Sequence, residues 1–177
     1  MKSSIPVTKA LFFIVFLLAG HLCFPQANPE LDSRNGFKDI RLGTRADSVQ
    51  GARLRKEFNA KDNVHPSQLY EVSNPDYSTI GEVKVRKLEL TAYRNLILTI
   101  SVVTDKDPRL MKALESLYGQ ATYDAKNNRY FWRGDSLILS YESISKKELL
   151  MEYRSLLVPK LMVKDRERKI DNIADDF

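Results

Sequence analysis

The chain has very little cysteine and histidine, and that scarcity excludes several kinds of chemistry. Its 177 residues contain one cysteine, Cys23, and two histidines. A disulfide framework needs cysteines in pairs, and a zinc site needs three or four clustered ligands. Cys23 lies in the apolar N-terminal segment, so the rest of the chain has no thiol. We therefore predict no disulfide, no cysteine nucleophile, and no metal or cofactor site.

Long apolar runs are also scarce, and the longest lies at the N-terminus. It covers residues 10–20, about eleven residues, whereas a helix that crosses a bilayer needs about 20. Lys2 and Lys9 precede this run, and Ala27 supplies a small residue after it. A basic head, a short apolar core and a small exit residue are typical of a secretory signal peptide. We therefore predict cleavage near Ala27, which removes residues 1–27 and leaves a mature chain without a transmembrane segment.

A retained membrane anchor is one alternative to simple cleavage, and the short apolar run argues against it. A lipid anchor on Cys23 is the second alternative. Bacterial lipoprotein signals place small residues directly before the modified cysteine, and His21 and Leu22 occupy those positions here. We therefore expect no lipid. A mature chain without disulfides fits a bacterial periplasm better than a small eukaryotic secreted module. The sequence thus predicts a periplasmic protein, or one secreted outside the cell.

The mature chain has the size and charge of one soluble domain. Cleavage leaves 150 of the 177 residues, which is enough for one hydrophobic core without covalent cross-links. Because Lys2 and Lys9 leave with the signal, 26 basic residues stand against 23 acidic ones. The two signs are interspersed, and so small an excess gives no basic patch for nucleic acid. We therefore expect no nucleic-acid partner.

Hydrophobic periodicity divides the mature chain into three parts. Residues 28–35 are polar and predict a flexible lead-in, residues 36–155 predict a single α+β domain, and residues 156–177 predict a charged helix and tail. Within the domain we expect an antiparallel sheet with helices packed on one face. The order of the elements predicts two α-β-β-β halves, residues 44–104 and 107–153.

Local signals place the elements of the first half. Thr44 and Asp47 have the spacing of helix-capping residues, so we predict a helix from Thr44 as far as Phe58. Apolar residues alternate over residues 82–92, with a one-residue slip that indicates a β-bulge. A tight reversal and a returning strand follow.

The second half has the clearer helix signals. Asp107-Pro108 is a strong helix start, and Gly119 is a typical stop. Three strands are predicted after it, over residues 129–132, 136–141 and 149–153. We expect the C-terminal helix to contact the domain through Leu157, Leu161, Ile170 and Ile173.

Two segments resemble known sequences. One is residues 36–44, GFKDIRLGT, and the other combines residues 114–119, LESLYG, with residues 130–139, YFWRGDSLIL. They resemble uncharacterised small secreted bacterial α+β proteins that have an I-x-L-G strand-to-helix junction and a Y-G helix exit before a Trp-containing hairpin. The first segment is also similar to SmpA/OmlA-type outer-membrane assembly lipoproteins. The chain lacks their lipid-attachment motif and is longer, so this resemblance carries over no site residue.

Catalytic signals are weak. His65 is the only histidine expected in the mature chain, and it precedes Pro66 in a polar loop, a poor place for an oriented base. Residues 143–146 match the S-x-x-K pattern of penicillin-interacting enzymes, but no K-T-G follows and the segment lies between strands. We therefore predict no catalytic residue and expect His65 to be an exposed loop residue.

One aromatic cluster gives a candidate binding surface. Arg129, Tyr130, Trp132 and Arg133 combine cations with rings that could stack on sugars or peptides. In a strand, Tyr130 and Trp132 share one face. The alternative is that Trp132 fills the core beneath the helix that starts at Asp107, and this is the placement we expect.

These observations predict an exported cell-envelope protein that acts as a non-enzymatic binding or assembly module. Its expected partner is an envelope protein or a peptide. The alternative is a periplasmic hydrolase that uses His65 or paired carboxylates.

Overall fold

One long antiparallel sheet dominates the described part of the chain. The structure is a computed structural model, and it describes residues 27–60 and 63–175. Apart from Ala27, the predicted signal peptide lies outside these residues. Eleven strands occur in the described ranges: β1 (Gly36–Phe37), β2 (Ile40–Arg41), β3 (Ala52–Phe58), β4 (Ser67–Val72), β5 (Thr79–Ile80), β6 (Val83–Tyr93), β7 (Leu96–Asp105), β8 (Thr122–Asp124), β9 (Arg129–Arg133), β10 (Leu137–Ser143) and β11 (Glu148–Ser155).

Three α-helices occur in the same ranges: α1 (Pro29–Arg34), α2 (Pro108–Tyr118) and α3 (Val158–Ala174). Two short 3-10 turns accompany them, Ala46–Ser48 and Pro75–Tyr77. None of the helices in this described part has both the length and the apolar content that a bilayer crossing requires.

The sheet consists of two antiparallel four-stranded meanders joined along one strand pair. Eight strands lie in the order β3-β4-β6-β7-β11-β10-β9-β8, and β5 adds a short pair to β6. The joint is the pairing of β7 with β11, in which Thr99 lies opposite Arg154 and Asp105 lies opposite Glu148. β1 and β2 form a separate hairpin. The predicted α+β class is confirmed by this mixture of antiparallel sheet and a few helices.

The core lies between one face of the sheet and α2. Leu90, Ile100 and Leu139, from three different strands, are fully buried, and Leu110 and Leu114 of α2 are buried with them. Strand alternation places those sheet residues on one face, and the helix supplies an apolar stripe against it.

Helix α2 and the bulge in β6 are present as predicted. The carboxylate of Asp107 accepts a hydrogen bond from the N–H of Arg109, Pro108 occupies the first turn, and Gly119 ends the helix. In β6 the pairing with β7 shifts between Val85 and Lys87, so one extra residue is accommodated there. Both features depend on local sequence, which is why periodicity and capping residues predict them.

The helix predicted over residues 44–58 is wrong. The chain forms one 3-10 turn and then continues as β3. The backbone of this segment bonds to the start of β7 instead of to itself, because Gly43 donates to the carbonyl of Ile97 and Ile97 donates to the carbonyl of Thr44. The hydroxyl of Thr44 donates to the carbonyl of Arg41 and caps no helix.

The predicted division into two α-β-β-β halves is therefore wrong in its order of helices and strands. The first half has no α-helix between β2 and β3, and the long sheet takes four strands from each half. The unexpected strand of the second half is β8, which pairs with β9 because Thr122 lies opposite Phe131 and Asp124 lies opposite Arg129.

Helix α3 is present, but its contacts differ from the prediction. The hydroxyl of Tyr93 donates to Asp165 at 2.9 Å. Tyr93 alternates with Ala92 in β6, so α3 contacts the face of the sheet opposite the core, and the helices do not all pack on one face. Of the four predicted contact residues, only Leu161 is half-buried. The other three are exposed: Leu157, Ile170 and Ile173.

The flexible lead-in predicted for residues 28–35 is also wrong, because these residues form α1. The side chain of Asn28 accepts a hydrogen bond from the N–H of Leu31 and so caps the helix. Leu31 is completely buried. The segment is thus part of the folded domain.

Candidate functional site

The four residues of the predicted binding surface lie in β9, but the structure does not bring them together on one surface. Tyr130 pairs with Tyr141 and Trp132 pairs with Leu139, both of which are core residues of β10. These two aromatic residues therefore lie on the face that α2 covers. Arg129 and Arg133 alternate to the other side of the strand.

Trp132 belongs to the core, as expected. Its side chain is only 3% exposed, and its Nε1–H donates to the carbonyl of Gly119 at 2.8 Å. Its ring lies edge-on to Tyr118, with 6.2 Å between the centroids. Trp132 thus anchors the end of α2 to the sheet and leaves almost none of its side chain exposed.

The two arginines have separate environments. Arg129 lies 3.4 Å from Asp124 across the hairpin of β8 and β9. Arg133 is exposed and borders a cleft of about 560 Å³ beside Asn28. Neither of them takes part in the groove into which Tyr130 opens.

That groove lies between α2 and the sheet and has a volume of about 700 Å³. The lining residues that come from α2 have the spacing i, i+3, i+4 and i+7, which corresponds to one face of the helix. Its sheet side comes from β9, β10 and the start of β11. We call it the aromatic groove, and its main lining residues are Pro108, Met111, Lys112, Glu115, Tyr130, Tyr141, Ser143 and Leu149.

The floor of the aromatic groove is apolar and its rim is open. Tyr141 and Leu149 are 8% and 3% exposed, and Met111 is half-buried. Tyr130 is 41% exposed at the rim, where its ring lies 5.0 Å from that of Tyr123. An apolar side chain that entered the groove would therefore lose water on several sides.

Charged groups of both signs line the rim. Lys106 donates to the hydroxyl of Ser143 at 3.0 Å, and Asp107 is engaged by Arg109. Lys112 and Glu115 form no ion pair with any described residue. The groove therefore presents no field of a single sign, and its charges suit a ligand with both donors and acceptors.

Tyr141 supplies a polar group at the apolar floor. Burial and the nearby negative charge of Asp107 raise the pKa of Tyr141, so its hydroxyl is protonated at neutral pH. The hydroxyls of Tyr141 and Tyr130 make no hydrogen bond to any described residue. Both are thus free to donate to, or accept from, a bound molecule.

Asp32, which no sequence motif indicates, forms a second polar centre. Its carboxylate accepts hydrogen bonds from the backbone N–H groups of Asp135 and Ser136, at 2.7 and 2.8 Å, and from the Ser136 hydroxyl. Partial burial alone would raise the pKa of Asp32, but these three hydrogen bonds lower it below its ordinary value. At Gly134 a Cβ atom would lie 2.5 Å from the Asp32 carboxylate. The turn thus accepts this carboxylate only because glycine occupies that position.

The residues of the alternative catalytic hypothesis are dispersed. His65 is exposed, its ring lies 5.8 Å from that of Tyr93, and its imidazole forms no hydrogen bond to a described residue. Ser143 accepts from Lys106 and donates to the carbonyl of Ser145. Within residues 27–60 and 63–175, no three histidine, cysteine or acidic residues lie close enough together to hold a metal ion.

Comparison with protein-family models, with curated proteins and with solved structures gave no match to this chain.

Proposed function

We propose that the chain is a non-enzymatic binding module of the bacterial envelope, and that it holds a peptide segment in the aromatic groove. The observation that carries the proposal is the open groove of about 700 Å³ with a buried apolar floor. Export is supported by the basic, apolar and small-residue order of residues 1–27.

The dimensions and chemistry of the groove favour an extended peptide. Pro108 and Glu115 lie seven residues apart on α2, which corresponds to about 10 Å along the helix axis. An extended chain covers that distance with about three residues. Tyr141, Leu149 and Met111 suit one apolar side chain, and the free hydroxyls and mixed charges of the rim suit peptide N–H and C=O groups.

The test is a titration of the isotope-labelled protein, residues 28–177, with hexapeptides that carry a central phenylalanine or leucine. Binding in the groove should shift the amide resonances of Met111, Lys112, Tyr130 and Tyr141. Met111→Arg fills the groove and should abolish these shifts. Leu117→Arg is the matched control, because Leu117 is 45% exposed on the same helix and lies outside the groove.

A second groove variant guards against a folding defect. Tyr130 is 41% exposed at the rim, so Tyr130→Ala should lower the thermal midpoint only slightly, leave the protein folded, and still weaken peptide binding. Shifts that persist in both groove variants, or that lie elsewhere, would refute the placement of the ligand.

The hydrolase alternative is decided with the same peptides. Mass spectrometry after long incubation should return intact peptides from the wild type. Cleavage by the wild type that is lost in His65→Ala would favour a hydrolase and contradict the binding module.

A further inference from the structure

Strand β3 leaves one edge of the sheet open. It is the terminal strand in the order of the long sheet, and it pairs on one side only, with β4. It runs for seven residues, six of which are exposed. A long edge strand presents a row of unpaired N–H and C=O groups, which is a template for another strand. The opposite edge, β8, has only three residues.

A bulge in β3 places three cations on one face. The register shifts between Leu54 and Lys56, so Arg53 lies opposite Glu71 and Lys56 lies opposite Leu69. Glu71 and Leu69 are two residues apart in β4 and share a face, so Arg53 and Lys56 do as well. Without the bulge, alternation would separate them.

Arg55 joins this face through its side chain. It is the extra residue of the bulge, and its Nε lies 2.9 Å from the carboxylate of Glu71. Arg53 and Lys56 form no ion pair with any described residue. The outer face of the edge is therefore basic over Arg53, Arg55 and Lys56, with Glu71 as a partial counter-charge. Phe58 shares this face, and its ring centroid lies 5.5 Å from the Lys56 ammonium.

The other face of the same edge carries Leu54 and, nearer the end of the strand, Glu57, whose carboxylate accepts a hydrogen bond from Gln68. Leu54 lies opposite Tyr70, a core residue of β4, and it is 49% exposed. A strand that was added beside β3 would therefore meet cations on one face and Leu54 on the other.

We propose that the β3 edge binds an extended acidic segment of a protein partner, which adds to the sheet as a further strand. Successive residues of an extended chain lie on opposite faces. The segment therefore alternates acidic residues, which face the three cations, with apolar residues, which face Leu54. This site is separate from the aromatic groove and does not depend on the function proposed for it.

A second copy of the chain fits this edge less well. Two β3 strands paired antiparallel about a two-fold axis would bring the outer-face cations of one copy beside those of the other. Like charges directly opposite one another destabilise a strand pair. Charge complementarity thus selects a partner that is acidic on that face.

Three peptides of equal length separate strand addition from simple charge attraction. The first alternates glutamate with valine over six residues, the second has the same composition with the three glutamates in one block, and the third is the alternating peptide with N-methyl groups at every second residue. Each carries a fluorescent dye, and binding to residues 28–177 is followed by anisotropy. The alternating peptide should bind at least about tenfold more tightly than either of the others, because only it combines the side-chain pattern with free N–H donors.

Charge reversal on the protein completes the test. Arg53→Glu combined with Lys56→Glu should abolish binding, and Arg53→Gln with Lys56→Gln should weaken it. The control is Lys84→Glu with Lys126→Glu, because both lysines are exposed, lie outside the two strands β3 and β4, and form no ion pair with any described residue. Retained circular dichroism confirms that each variant folds.

Equal binding of the block and alternating peptides would show attraction of any polyanion and overturn the proposal. Unchanged affinity on N-methylation, or no binding of the alternating peptide at millimolar concentration, would overturn it as well. Met111→Arg should abolish peptide binding in the aromatic groove and leave the affinity of the alternating peptide for the β3 edge unchanged. Failure of one proposal is therefore distinguishable from failure of the other.

Discussion

Asp32→Asn should destabilise the protein by about 2–3 kcal/mol, because it removes a charge that three donors share. In the wild type the carboxylate accepts from two backbone N–H groups and one hydroxyl of Asp135 and Ser136. An asparagine of the same shape keeps one oxygen and turns an amide N–H₂ toward the remaining donors. This loss of unfolding free energy is small for three hydrogen bonds to a charged group, because Asp135 is exposed and water can solvate its N–H group.

The same variant should lose its effect at acid pH. The pKa of Asp32 lies below its ordinary value of 3.8 in the folded protein. A lowered pKa contributes stability that is fully present above the unfolded pKa and is lost as pH falls through the folded pKa. The difference between wild type and Asp32→Asn should therefore be full at neutral pH and shrink as the pH falls below about 5 and through the folded pKa of Asp32.

Urea denaturation followed by far-ultraviolet circular dichroism measures both effects. Glu30→Gln is the matched control, because Glu30 lies in the same helix and forms only an exposed pair with Arg34. It should change stability by less than about 0.5 kcal/mol. An Asp32→Asn loss no larger than that of the control, or one that stays constant with pH, would refute the role of the carboxylate in fixing α1.

Three other outcomes are expected. Trp132→Ala should cost about 3–5 kcal/mol, and the wild-type emission should be blue-shifted and resistant to acrylamide; a red-shifted, fully quenched emission would contradict the buried placement. Asp165→Asn should cost about 1.5–3 kcal/mol and speed amide exchange in α3 but not in α2, since Asp165 bonds to Tyr93 and Arg94; equal exchange in wild type and variant would count against that contact. The intact mass of protein from a secreting host should correspond to loss of about 27 residues without added lipid; retention of the N-terminus or a lipid mass would show that the signal was misread.

The elements that could be predicted from the sequence are those whose signals are local. Asp107-Pro108 and Gly119 define α2 whatever surrounds it, and the phase slip near Arg86 marks a bulge in any antiparallel pair. The helix predicted after Thr44 does not form, because the capping pattern of this segment competes with long-range pairing. The chain pairs first with Ile97 and then, as β3, with β4. A strand at an edge also buries little, so β3 has no strong apolar alternation to reveal it.

The site could be predicted only in part. Tyr130 was named as a candidate and does line the groove, but Met111, Lys112 and Glu115 reach it from a helix whose position depends on the tertiary fold. Asn28-Pro29 repeats the capping pattern of Asp107-Pro108, and that signal could have revealed α1. The contact between Asp32 of α1 and Ser136 could not be predicted from the sequence, because the two residues lie 104 positions apart.

That separation sets the order in which bonding partners become available as the chain is synthesised. Asp32 has no partner until Ser136 has been made, and at about 5–20 residues per second the intervening 104 residues take about 5–20 seconds. The hairpin of β6 and β7 needs only about 1–10 microseconds once its residues exist. Leu31, which is completely buried in the finished domain, lies in the same helix as Asp32, and that helix gains these hydrogen bonds only after most of the sheet strands have been made. Helix α1 is thus made early, but the partners that bond its Asp32 to the sheet are made late.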